Sequence, residues 1–73
     1  MVTIRVCRKG TGKSVENKKV FISFSSVMRG WAEEWTDSGG DANFNVDPGN
    51  GKVVIDGSTL MTGHLSGRIV VYI

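Results

Sequence analysis

The chain has 73 residues, a formal net charge of +2 and one cysteine, which bounds it to a single small domain, residues 1–73, that buries only about 60% of the surface its unfolded form exposes. No run approaches the ~20 apolar residues of a membrane helix, and the N-terminus lacks the basic start and apolar stretch of a secretory signal; as written, the chain is expected to be soluble and cytoplasmic, or cell-surface or extracellular if excised from something larger. Cys7 alone excludes an intramolecular disulfide, and a domain of this size without a staple makes self-association a route to stability.

In chain order, Val2, Ile4 and Val6 alternate with Thr3 and Arg5, the period-two pattern of a half-buried strand. The stretch C-R-K-G-T-G-K-S, Cys7 to Ser14, ends as a phosphate-binding loop ends. That loop needs its first glycine at position 7, where Cys7 stands, and a helix after Ser14, where Val15 to Lys19 leads into another strand. The stretch therefore reads as a turn, and Cys7 as a reduced thiol packed on a strand. Residues Val20 to Phe24 are β-branched and aromatic, with Val20, Ile22 and Phe24 on one face and Phe21 and Ser23 on the other; apolar groups on both sides predict a central strand.

A third strand puts Trp31, Glu33 and Trp35 on one face and Ala32, Glu34 and Thr36 on the other, a pattern compatible with burial of either. Trp31 and Trp35 beside Arg29 would suit base stacking. Glu33 and Glu34 would repel a polyanion there, and the commoner fate of such aromatics is a core or dimer contact. Asp37-Ser-Gly-Gly-Asp41 reads as a hairpin turn with Asp37 capping backbone amides. As a calcium loop it fails, because position 39 is glycine and Pro48 stands where the closing Glu belongs. Ala42, Phe44 and Val46 then alternate with Asn43 and Asn45, Asp47-Pro-Gly-Asn-Gly51 predicts a turn, and Val53 to Ile55 forms a strand that stops at Asp56-Gly57. Residues 58 to 67 fit a short strand or an irregular crossing equally well, anchored by Leu60, Met61 and Leu65. Arg68 to Ile73 closes the chain as a strand.

No segment longer than about ten residues shows a helical period, so the sequence predicts an all-β fold: a small antiparallel β-sandwich of about seven strands, Ig- or transthyretin-like. Its expected core is Val2, Ile4, Val6, Val20, Ile22, Phe24, Phe44, Val46, Val53, Ile55, Ile69, Val71 and Ile73. Charge is segregated along the chain. Residues 1 to 19 hold Arg5, Arg8, Lys9, Lys13, Lys18 and Lys19 against Glu16, whereas residues 31 to 56 hold Glu33, Glu34, Asp37, Asp41, Asp47 and Asp56 against Lys52. Solvated loops, complementary halves or a nucleic-acid surface would each produce this pattern.

His64 is the only histidine and has no carboxylate near it in sequence; a Cys7–His64 dyad has nothing but residue identity behind it, and no zinc-ligand spacing exists. No catalytic, cofactor-binding or metal-ligating residue is assigned, and the protein is read as a non-enzyme without cofactor.

Three segments follow one another: Gly12-Lys-Ser-Val-Glu-Asn-Lys-Lys-Val-Phe-Ile-Ser-Phe24, Thr36-Asp-Ser-Gly-Gly-Asp-Ala-Asn-Phe44 and Pro48-Gly-Asn-Gly-Lys-Val-Val-Ile-Asp-Gly57. Their order resembles that of the carboxypeptidase regulatory-like domains of the transthyretin-like (prealbumin-like) sandwich, over roughly residues 2 to 73. The Thr-Asp-x-x-Gly-x-Ala-x-Phe hairpin is shared with bacterial Ig-like domains. Ser14, Lys18 and Lys52 depart from the family pattern, which has a proline, a small residue and a tyrosine there. The resemblance implies a non-enzymatic accessory or adhesive module. The expected function is a protein-binding or structural module, self-associating as a homodimer through the edge strand Arg68 to Ile73. The alternative is a nucleic-acid-binding barrel with Arg5, Lys9, Lys18 and Lys19 on phosphates.

Overall fold

A computed structural model describes residues 1–26 and 28–73. The described residues form seven strands: β1 (Val2–Cys7), β2 (Lys19–Phe24), β3 (Trp31–Trp35), β4 (Asp41–Phe44), β5 (Gly49–Ile55), β6 (Ser58–Leu65) and β7 (Gly67–Tyr72). They form a three-stranded sheet in the order β4-β1-β7 and a four-stranded sheet in the order β3-β2-β5-β6. Val2, Ile4, Val6, Ala42, Phe44 and Val71 from the first sheet join Val20, Ile22, Phe24, Val53, Ile55 and Leu65 from the second in one buried core. The fold is an all-β sandwich. Alternation produces it directly, because successive side chains on a strand point to opposite faces, and β1, β2 and β4 each turn a continuous apolar row inward. Among the described residues, no helix is long and apolar enough to cross a membrane.

The sheets are not antiparallel throughout. β1 and β7 pair in parallel, with Val2 opposite Gly67 and Cys7 opposite Tyr72. A parallel pair needs a long crossover, and here the five intervening strands supply it. β6 ends in the four-stranded sheet at Leu65, and Ser66 alone separates it from β7 in the other sheet. Gly67, at φ 60°, allows that abrupt passage.

Four local expectations change. The Asp47–Gly51 stretch is a strand from Gly49 onward, because Gly51 lies against β2 so closely that a Cβ there would stand 2.5 Å from the Ser23 carbonyl oxygen. Residues 58 to 65 form an eight-residue strand despite their polarity, since only one face of an outer strand must be apolar. It is joined to β5 by Asp56-Gly57, both at positive φ (52° and 79°) as a two-residue primed hairpin turn requires. The Asp37 turn caps as expected, its Oδ1 accepting from Gly39 N at 2.9 Å and Asp41 N at 3.0 Å. It is not a hairpin, however, because β3 and β4 belong to different sheets. Finally, Val46, Ile69 and Ile73 are half-buried and pack against the core rather than within it, whereas Cys7, Ala42 and Leu65 are buried.

The Cys7–Ser14 stretch is a turn. Cys7 bridges Ser14 in antiparallel fashion, Arg8 N donates to Lys13 O at 2.7 Å, and Gly12 N donates to Arg8 O at 2.8 Å. β2 is central, flanked by β3 and β5.

Candidate functional site

With Val20, Ile22 and Phe24 committed to the core, β2 turns Lys19, Phe21 and Ser23 to solvent. The β2–β3 register sets Lys19 opposite Trp35, Phe21 opposite Glu33 and Ser23 opposite Trp31. β5 contributes Val54 beside Phe21 and Lys52 beside Ser23. The outer face of the four-stranded sheet thus carries two tryptophans, a phenylalanine and a valine, with Glu33 between the two indoles and Lys19 and Lys52 beside them.

Trp31 is 61% exposed and Trp35 59% exposed, so neither enters the core. Four residues apart on one strand, they stand ~13 Å from each other at the usual rise per residue. Phe21 stacks on Trp31, ring centroids 5.0 Å apart and planes inclined by 22°. Lys19 Nζ lies 3.0 Å from Glu33 Oε2 and 6.0 Å from the centre of the Trp35 ring. Beside these groups is an open depression of about 410 Å³, lined by Lys19, Phe21, Glu33, Val54, Asp56 and Gly57. Chemically, the face offers flat apolar area interspersed with both signs of charge.

The basic residues of the first 19 positions do not converge. Arg5 lies on β1 of the three-stranded sheet, opposite Asp41 and Val70, and Lys9 follows that strand. Lys18 Nζ sits 2.6 Å from Asp56 Oδ2, and Lys19 is paired with Glu33. Arg29, between β2 and β3, is spent on the β4–β5 connection: its guanidinium donates to the Asp47 and Pro48 carbonyls and covers the Phe24 ring at 3.8 Å. Cys7 is buried, whereas His64 is exposed with Nδ1 3.3 Å from Asn50 Oδ1. Among the described residues, no three His, Cys, Asp or Glu side chains gather as a metal site.

Sequence reasoning singled out Trp31 and Trp35 but not the residues that complete the patch. Phe21 and Val54 were legible as outward positions once the inward face of each strand was chosen. Their meeting depends on the β2–β5 register, which local alternation does not contain.

No protein-family model matches this chain, and no curated protein or solved structure matches it either.

Proposed function

We propose that this protein is a non-enzymatic protein-binding module whose contact surface is the outer face of the four-stranded sheet. The observation that carries the reading is the exposure of Trp31 and Trp35 on a single sheet face, continued by Phe21 and Val54. Tryptophan leaves solvent favourably, and buried aromatic anchors dominate protein interfaces. An exposed face that carries aromatic area together with charged groups, Glu33 between the two indoles and Lys19 and Lys52 beside them, offers a partner apolar contact and polar anchor points at once. The motifs shared with carboxypeptidase regulatory-like and bacterial Ig-like sandwiches support the same class of accessory module.

A partner of mixed charge suits this face better than a polyanion, because Lys18 and Lys19 are already paired with Asp56 and Glu33. Base stacking on the two indoles is the second reading. Affinity capture with the wild type and with Trp31→Ala/Trp35→Ala separates the possibilities when run beside oligonucleotide titrations at about 50 and 200 mM salt. The expected result is a protein retained by the wild type and lost by the double variant, with no oligonucleotide bound at the lower salt. Capture indifferent to the substitutions, or oligonucleotide binding that collapses with salt, contradicts the proposal.

A further inference from the structure

The free edge of β7 is complementary to itself. Ile73 N donates to Cys7 O at 2.9 Å, and Ile73 O accepts from Lys9 N at 2.8 Å, so both backbone groups of Ile73 turn toward β1. Alternation along a strand turns those of Val71 and Ile69 the same way. It directs the amides and carbonyls of Arg68, Val70 and Tyr72 outward, where the sheet order places no further strand among the described residues. Six backbone groups thus face solvent along one edge, and the side chains of Val70 and Tyr72 beside them are 46% and 51% exposed.

The other three edges carry devices that discourage pairing. β4 has only four residues, β3 bears Glu33 and Glu34, and β6 is joined to β5 across a register shift at Val53/Val54. β7 has six residues, no proline and no such shift, and its one charge, Arg68, lies 3.2 Å from Asp41 within the same sheet.

We propose that β7 docks on β7 of a second copy of this chain, antiparallel, about a two-fold axis at Val70. That register pairs all three outward residues at once: Val70 faces the partner's Val70, and Arg68 faces the partner's Tyr72. Each is a hydrogen-bonded pair, so all six backbone groups are satisfied. The guanidinium comes over a phenol ring, a favourable cation–π contact, and no like charges meet. Parallel pairing would set Arg68 beside the partner's Arg68. The two three-stranded sheets become one six-stranded sheet, β4-β1-β7 continued through its symmetry mate, while both aromatic faces stay free.

Sedimentation velocity on the intact chain over a range of concentrations tests the pairing. The wild type is expected to dimerise, and Val70→Lys and Val70→Glu each to weaken association at least about tenfold, because like charges meet across the axis, with unchanged circular dichroism. An equimolar mixture of the two variants is expected to recover the dimer, since lysine then faces glutamate. A monomeric wild type at all concentrations, a Val70→Lys protein that still dimerises, or a mixture that stays monomeric overturns the proposal.

Discussion

Phe21 and Trp31, on adjacent strands of the four-stranded sheet, stack with ring centroids 5.0 Å apart. The contact fixes one tryptophan of the aromatic face against the strand that also supplies three core residues. It explains how an indole that is mostly in solvent is held in one orientation. Among the described residues Trp35 has no such ring partner, and its neighbour is the Lys19 ammonium, 6.0 Å from the ring centre.

The two tryptophans should therefore differ in what they contribute to stability. Trp31→Ala is expected to cost about 1 kcal/mol, the worth of an aromatic pair plus partial burial, and Trp35→Ala less. Phe44→Ala, in the core at 1% exposure, is expected to cost about 3–5 kcal/mol, comparable with the whole stability of a small domain. Urea denaturation of the three variants gives the ranking. Equal losses for Trp31 and Phe44 would mean that the aromatic face is structural rather than free.

Thr36, which follows β3, turns to the opposite side from the two tryptophans and is buried. Its Oγ1 accepts from Lys18 N at 2.8 Å, while its own amide donates to Lys18 O at 2.9 Å. Thr36→Val keeps the shape and leaves the Lys18 amide without an acceptor, for an expected loss of about 1–3 kcal/mol. Thr36→Ser retains the hydroxyl and should lose less. Denaturation midpoints check this, and a neutral Thr36→Val would remove the bond from the account.

Gly51→Ala tests the β2–β5 approach. A methyl group there would meet the Ser23 carbonyl oxygen at 2.5 Å, and backbone must move to admit it. The expected cost is about 1–3 kcal/mol. An unaffected thermal midpoint would contradict the close packing of these two strands.

The parts of the fold that were legible in the sequence are those written in local alternation. The inward rows of β1, β2 and β4 follow from period two, and the Asp37 cap follows from a side chain bonding amides two and four residues on. What alternation cannot carry is pairing across the chain. The parallel β1–β7 contact, the close approach at Gly51 and the meeting of Phe21 with Val54 all depend on register between distant segments. β6 was hard to read because Thr59, Thr62 and His64 are exposed, so its inward residues stand among polar ones. For the candidate site, Trp31 and Trp35 were visible as a pair on one face, but a core or dimer contact was the commoner expectation. They are exposed because β3 is an outer strand whose other face turns Ala32 toward the core. The basic N-terminal third looked like one surface only because charge was counted along the sequence; folding divides it between two sheets and pairs Lys18 and Lys19 with acids.

The most direct test of the aromatic face as a recognition surface is site-specific photocrosslinking in cells that express the protein. A photoreactive phenylalanine analogue is placed at position 35, with a second protein carrying it at position 43 on the outer face of the opposite sheet. The account predicts a recurrent protein adduct from position 35 and none from position 43. No adduct at 35, equal adducts at both positions, or crosslinks to nucleic acid would contradict it.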